Sequence, residues 1–326
     1  MEVSKIRPKE DYKNSENEFT KEVKKFFVDE TTKKNLISIK CPSCESTSSK
    51  KLMKKNGFNL QICNSCGMQY VNPRPNEKSI LNYFEKSESV KDYSKMVELT
   101  KKARKQKIIN SLSTEISNIV NSKENLQVLE IGCGVGLLLE ELVEKNPNWT
   151  ISGLEQNKYT ADFAKSKGLN VINGNIENLP SQNKFDLVYM WAVYDHFSDP
   201  LNISKKLFEL LNKDGYLIIG NMNTDGFDAK IMGLDNPAYT IPARLNFFGL
   251  NTFRSMLLRS GFKDIKISTN GKLDTSIVSD YWHEGGKNGK NDFLSKIIEN
   301  RELSEKFQKF LIANNLSSHM IIIART

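Results

Sequence analysis

Hydrophobic and polar positions fall into three regimes along this chain. From Leu126 the sequence reads LQVLEIGCGVGLLLEEL. A short apolar run (Val128, Leu129, Ile131) is ended by three alternating glycines, Gly132, Gly134 and Gly136, and apolar residues at helical spacing follow (Leu138, Leu139, Leu142, Val143). That pattern reads as strand, tight glycine turn, helix. Further short apolar runs predict strands over 149–154, 169–172, 185–190 and 215–219, the last preceded by a helix marked by Leu201, Ile203, Leu207, Leu210 and Leu211. Strands alternating with helices predict a doubly wound α/β fold with a parallel sheet. The stretch 79–120 has helical spacing, with Ile80, Leu81 and Phe84 on one face. Ahead of it, Leu52 and 58–62 read as short strands and 70–75 as an extended exit. Residues 1–35 are polar and charged, with one short helix expected near 19–27 and no chemistry.

These changes of pattern divide the chain into a polar lead-in at 1–35, a small module at 36–76, a helical linker and cap at 77–125, and an α/β domain at 126–326. Insertions at 222–246 and 271–316 should overhang the carboxyl ends of the strands, where open α/β sheets bind ligands.

The small module carries its own chemistry. Cys41-Pro42-Ser43-Cys44 and Cys63-Asn64-Ser65-Cys66-Gly67 are two CxxC turns separated by eighteen residues. Each turn brings two thiolates to one side of a tight loop, and two turns complete a tetrahedral shell. Four cysteines close that shell and leave no position for water, so a zinc ion held there is structural. It would fold a module too small to hold itself together otherwise. Four of the five cysteines are used in this way, leaving nothing for a disulfide framework.

The glycine turn limits its ligand. Glycines permit left-handed backbone and close approach to a flat or polar group. Glu130, just before the turn, puts a carboxylate into the same space, which suits ribose hydroxyls or a cation and would repel phosphate. The dinucleotide fingerprint needs glycine at 137, where the chain has Leu137. Glu155 lies 25 positions after Glu130, at the expected end of the second strand. A nucleotide-binding α/β fold places there the carboxylate that accepts both ribose hydroxyls.

The pattern E-x-G-x-G-x-G resembles motif I of the class I S-adenosylmethionine-dependent methyltransferases. The order of elements over 126–268 is similar to the same family, as are Asp195-His196-Phe197-Ser198-Asp199-Pro200 after strand four and the segment holding Leu245-Asn246-Phe247-Phe248, Thr252, Leu257 and Gly261-Phe262. The resemblance implies a seven-stranded Rossmann-like methyltransferase sheet preceded by a four-cysteine zinc ribbon. It also implies that Glu130, Gly132, Cys133, Gly134 and Gly136 surround the methionine and ribose part of the cofactor. Glu155 would take the ribose, Gln156 would lie beside the adenine, Asn175 and Ile176 would edge it, and Trp191 would close the pocket floor. Two residues depart from the family, Asn175 where it has Asp and Asp195 where it has Glu. The Asn175 amide can still accept from the adenine amino group.

Methyl transfer from a sulfonium is an in-line displacement that needs alignment and, for some acceptors, a base. His196, one of three histidines in the chain, is the foremost candidate base, with Tyr194 and Asp195 as alternatives. Tyr239, Arg244, Tyr281 and His283 are acceptor-side candidates on the two insertions, and Tyr83 and Tyr93 are expected near the cofactor. Cys133 sits inside the glycine turn and is expected to pack rather than react.

Charge adds the question of a partner. The net charge is +8, yet residues 1–110 hold 24 Lys+Arg against 14 Asp+Glu. The whole basic excess therefore precedes the glycine turn, as a solvated surface or as a surface for an anionic partner. Lys101, Lys102, Arg104, Lys105 and Lys107 crowd one stretch, for which an exposed helix face is the expected reading. No apolar run of eighteen exists, and the N-terminus lacks the apolar core of a signal peptide, so a cytoplasmic protein without a membrane span is expected. Three functions compete: a methyltransferase for a small-molecule, sugar or polysaccharide-linked acceptor, an RNA methyltransferase using the basic zinc module, and a non-catalytic zinc-ribbon protein with a retained cofactor fold. Few aromatics in the ribbon for base stacking, and no N/D-PP-Y/F tetrapeptide after strand four, favour the first. Nothing in the sequence sets an oligomeric state.

Overall fold

The structure is a computed structural model and describes residues 3–29, 35–120, 124–180 and 182–326. The parts of the lead-in at 1–2 and 30–34 and of the linker at 121–123 lie outside the described residues.

Helix α1 (Lys9–Val23) continues as a π-helical turn to Val28. It starts ten residues earlier than the apolar pattern suggests and is firmly anchored. Phe26 and Phe27 pack on Tyr83 with ring centroids 5.6 and 5.2 Å away. The short strands β1 (Leu36–Ile37), β2 (Ser49–Lys55), β3 (Phe58–Cys63), β4 (Gln69–Val71) and β5 (Arg74–Pro75) follow. Next come the helices α2 (Glu77–Lys86), α3 (Glu88–Leu99), α4 (Lys101–Arg104) and α5 (Asn110–Ile119), the last two joined by a π-helical turn. Asn76 and Ser87 cap α2 and α3 by accepting from the backbone N–H three residues on. The buried Glu22 carboxylate of α1 also accepts from Ser87 Oγ and Glu88 N, both at 2.6 Å, which ties the lead-in to the start of α3.

The α/β domain runs β6 (Gln127–Ile131), α6 (Leu137–Lys145), β7 (Thr150–Glu155), α7 (Lys158–Ser166), β8 (Val171–Asn173), β9 (Phe185–Trp191), α8 (Pro200–Leu210) and β10 (Leu211–Met222). It continues with α9 (Phe227–Met232), β11 (Asn246–Phe247), α10 (Leu250–Arg259), β12 (Lys263–Thr269), α11 (Asp274–His283), α12 (Asp292–Glu299), α13 (Arg301–Ala313) and β13 (His319–Arg325). The seven-stranded sheet has the order β12-β13-β10-β9-β6-β7-β8. Its strands are parallel except β13, which runs antiparallel between β10 and β12. The chain order reverses between β6 and β9, so the crevice at their carboxyl ends is the topological switch point.

The ribbon is not a separate bead. β11, from the α/β domain, pairs with β4 and extends the ribbon sheet to four strands in the order β11-β4-β3-β2. Cys41, Cys63, Met68 and Tyr70 share one hydrophobic core with Tyr194, Phe248 and Phe253. The buried Arg74 donates to Asn246 Oδ1 at 3.0 Å and to the Ser198 carbonyl. Across the molecule, Lys101 pairs with Glu140 at 2.8 Å, and Lys105 reaches Glu141 and Glu144 at 3.2 and 3.4 Å. Part of the basic stretch therefore faces the acidic side of α6 instead of solvent. No helix among the described residues is long and apolar enough to cross a membrane.

Candidate functional site

At the end of β6 the chain turns through Gly132, Gly134 and Gly136, with φ of 69°, 53° and 76°. The three do different work. A Cβ on Gly132 would lie 2.5 Å from Val193, and one on Gly136 would lie 2.4 Å from Leu169, so these two allow close packing. A Cβ on Gly134 would meet nothing within 4 Å and would project into open space. Gly136 also serves as the left-handed N-cap of α6 and does not line the cavity described below.

Two carboxylates flank the turn. Glu155, at the end of β7, accepts from Gly134 N at 2.9 Å and from Asn157 N at 2.8 Å. Burial raises its pKa, and those backbone N–H groups oppose the shift. Glu130 is buried and accepts from the Tyr189 hydroxyl at 2.8 Å. Burial pushes its carboxyl up to about 8, with Glu155 adding to the shift. Cys133 is buried beneath the turn against Gly153, and burial pushes its thiol up, which fits packing and not nucleophilic chemistry.

The turn opens into a cavity of about 970 Å³ that includes Glu130, Gly132, Cys133, Gly134, Glu155, Gln156, Asn175, Ile176 and Trp191 in its wall. That volume is at the upper end of small-ligand sites. Gln156 Nε2 donates to the Leu81 carbonyl and Asn157 Nδ2 to the Phe84 carbonyl, both at 2.8 Å, so α2 is held over the end of β7. Asn175 Oδ1 accepts from Asn178 N at 3.1 Å and caps a short 3-10 turn. Trp191 lies flat on His319, with centroids 4.3 Å apart and planes 19° apart, and is pressed over Gly220. The residues present fit an S-adenosyl cofactor. A glycine cradle with one open face and two buried carboxyl groups suits ribose hydroxyls.

The three candidate bases separate. Tyr194 is fully buried, its hydroxyl donating to the Pro200 carbonyl at 2.7 Å, and it is absent from the cavity wall. Asp195 is buried too; its Oδ2 accepts from Arg244 Nη1 at 2.7 Å while its Oδ1 has no hydrogen-bond partner. Only His196 lines the cavity. Its Nδ1 is 2.9 Å from the Ala243 carbonyl, which requires a proton on Nδ1, and in the neutral ring Nε2 lies 3.7 Å from Asp195 Oδ1. Burial lowers its pKa and favours this neutral form.

Of the acceptor-side candidates, Tyr239 and Arg244 line the cavity, as do Tyr83 and Tyr93. Tyr281 donates to Asp235 and His283 bonds the Ser279 carbonyl, and neither is part of the wall. The wall also holds residues that the sequence did not single out, namely Arg7, Tyr12, Asp228, Asn236 and His319. Asp228 Oδ1, Asn236 Nδ2 and His319 Nδ1 have no hydrogen-bond partner. Burial pushes the Asp228 carboxyl up to about 7, helped by Asp274, and lowers His319 to about 4. His319 carried a signal, being the third of three histidines; Arg7 and Tyr12 carried none.

The four cysteines of the ribbon converge. Their sulfurs all lie within 4.8 Å of one another, with Cys41–Cys66 at 3.6 Å and Cys44–Cys63 at 3.5 Å. Sulfurs about 2.3 Å from a tetrahedral zinc would be spaced by about 3.8 Å, so the set fits one ion. Both knuckles are the same turn. Glu45 N bonds the Cys41 carbonyl at 2.8 Å and Gly67 N the Cys63 carbonyl at 3.0 Å, and Glu45 and Gly67 are both left-handed. Burial pushes the Cys63 thiol up, but backbone N–H groups of Cys66 and Ser65 win and hold it down to about 7.

A sheet of this order, with a glycine cradle at its switch point, defines the Rossmann-like class of S-adenosylmethionine-dependent methyltransferases. A methyltransferase-domain family matches residues 100–267, just over half of the chain, and the chain belongs to that family. Among curated relatives it is similar to a malonyl-[acyl-carrier protein] O-methyltransferase of Priestia megaterium, 29% identical over 130 residues that cover 39% of this chain and 46% of that protein. It is also similar to a tRNA U34 carboxymethyltransferase of Campylobacter jejuni, 28% identical over 155 residues, 45% of this chain and 53% of that one. The chain thus spans about half the length of the curated relatives it matches. Among solved structures it shares its fold with a Haemonchus contortus phosphoethanolamine N-methyltransferase bound to S-adenosyl-L-methionine (TM-score 0.52, 14% identity, 85% of this chain and 71% of that one). A chain from the complex of a Haloferax volcanii methyltransferase with its activator is similar in fold (TM-score 0.52, 11% identity, 72% of this chain and 96% of that one).

Proposed function

We propose that this protein is an S-adenosylmethionine-dependent methyltransferase acting on a small-molecule or sugar-like acceptor, with a structural zinc in its ribbon. The observation that carries the reading is the glycine cradle between Glu130 and Glu155, opening into one large cavity at the switch point. When bound, the cofactor supplies an activated methyl group on a sulfonium. The chain's own residues do the rest. Glu155 offers its remaining lone pairs to the ribose, Gly134 leaves room for the backbone to approach, and Ile176 and Gln156 flank the adenine. Trp191 lines the same cavity, and His196 and Asp228 are two of the titratable groups in its wall placed to take a proton. Of these, Asp228 has its carboxyl raised by burial to about 7, which suits a general base working near neutral pH.

Two features favour a small acceptor over RNA. Lys101 and Lys105 are paired with α6, and the lead-in before and along α1 contributes to the cavity wall. Four thiols committed to one metal suit a reducing compartment, in keeping with the cytoplasm. Calorimetry with S-adenosylhomocysteine tests the cofactor; no binding would leave only a non-catalytic ribbon protein. Labelled-methyl transfer into a lysate separated into RNA, protein, glycan and small-molecule fractions tests the acceptor. Label confined to RNA would reverse the ranking.

A further inference from the structure

The lead-in brings a guanidinium, that of Arg7, to a cavity where Glu16 and Asp228 feel its charge but no carboxylate among the described residues forms an ion pair with it. Arg104, at the end of α4, donates Nε to Thr100 Oγ1 at 2.8 Å and Nη2 to the Ile6 carbonyl at 2.7 Å. This strap holds the turn before α1 against the cavity and places Arg7 and Tyr12 in its wall. Arg7 lies over the Tyr12 ring, 5.3 Å from its centroid, and Arg104 lies 5.8 Å from the Tyr93 ring centroid. Arg244 belongs to the same wall, from the loop after α9, with Nη1 on Asp195. Among the described residues, neither Arg7 nor Arg104 has a carboxylate within ion-pair distance, although several acidic groups line the cavity. A half-buried guanidinium keeps a rigid fork of donors whose best partner is a carboxylate or phosphate.

We propose that Arg7, with Arg244 and the hydroxyl of Tyr93, binds a carboxylate or phosphate group carried by the methyl acceptor. The proposal rests on the cofactor occupying the glycine cradle. The cradle end is walled by Glu130 and Glu155, whereas Arg244 is fixed through Asp195 beyond the mouth of β9, on the side of the loop that carries Asn236 and Tyr239. The local field agrees. Burial pushes the Tyr93 hydroxyl up, yet Arg104, Arg7 and Arg244 outweigh it and hold the group below its ordinary value. Arg7 also opposes the burial shift of Asp228, which sets it near the acceptor-side carboxyl. An acceptor anchored by its anion would stand with its other end towards Trp191 and His319.

The test uses full-length protein saturated with S-adenosylhomocysteine, into which inorganic phosphate and acetate are titrated separately by calorimetry. Wild-type protein is expected to bind at least one anion in the low-millimolar range, and the preferred anion distinguishes a phosphorylated acceptor from a carboxylic acid. Arg7→Gln should weaken that binding about tenfold or more, Arg7→Lys, which keeps the charge but not the fork, should restore only part of it, and the affinity for S-adenosylhomocysteine should be the same in all three. Loaded wild-type protein that binds neither anion overturns the proposal, as does an Arg7→Gln protein that binds them equally well. Loss of S-adenosylhomocysteine affinity in Arg7→Gln also overturns it, by assigning Arg7 to the cofactor. Wild-type protein that binds no S-adenosylhomocysteine sinks the cofactor reading itself, and this one with it.

Discussion

Glu130 and Asp228 are buried carboxyls facing the same cavity, and each has a consequence that can be measured. The Glu130 carboxyl stands at about 8 in the folded protein, above the 4.5 of an ordinary Glu, because burial disfavours its charge. A raised folded pKa contributes stability that is complete below about 4.5 and is lost as pH rises through about 8. Glu130→Gln removes that dependence while its amide oxygen can still accept from Tyr189. The variant should therefore melt above wild type at pH 9 and alongside it near pH 4; equal melting temperatures at pH 9 would contradict the burial argument. For Asp228 the prediction is kinetic. A base with its carboxyl at about 7 must be ionised to act, so turnover should fall with decreasing pH below 7 and level off above it. Asp228→Asn should lose that limb together with about 10²-fold or more of the rate. A limb that survives the substitution would pass the role to His196. Glycine, cysteine and the first acidic residues were readable because their chemistry depends on local spacing. Asp228 was not, because its raised pKa is a product of burial.

At the scale of elements, strands β6 to β10 were legible to within a few residues, since a short apolar run between turn residues has few alternatives, whereas β11, β12 and β13 were not assigned from the pattern. Helix α1 was not, because its sequence is mostly charged and its apolar face is short. What fixes it is contact with α2 and α3: Phe26 and Phe27 against Tyr83, and Glu22 at the start of α3. Glu22→Ala removes hydrogen bonds to Ser87 Oγ and Glu88 N and should cost about 1–2 kcal/mol of stability in urea denaturation. A change within error would mean that the aromatic contacts alone hold the lead-in. The basic stretch around Lys101 teaches the converse lesson. Read alone it is a solvated face, whereas in the fold Lys101 and Lys105 meet Glu140, Glu141 and Glu144 on α6.

For the whole molecule, the ribbon and the sheet form a shared core, so the metal should stabilise more than the ribbon. Cys41 and Cys63 pack with Tyr70, Tyr194 and Phe248, and β11 closes the ribbon sheet. Purified protein is expected to hold one zinc per chain by elemental analysis. Chelation, or Cys63→Ser, should lower the melting temperature of the entire chain in one transition. Two separated transitions would instead make the ribbon an independent unit. By itself the sequence determined the α/β class, the four-cysteine cluster and the glycine cradle with its two carboxylates, because each follows from spacing along a few consecutive residues. Only the tertiary structure decided the far wall of the cavity. Arg7, Tyr93, Asp228, Arg244 and His319 come from five segments spread over most of the chain. The sequence named Tyr93 and Arg244 as candidates, but no local pattern marks Arg7 or Asp228; what brings all five together is the packing of the lead-in and the loops over the carboxyl ends of the strands.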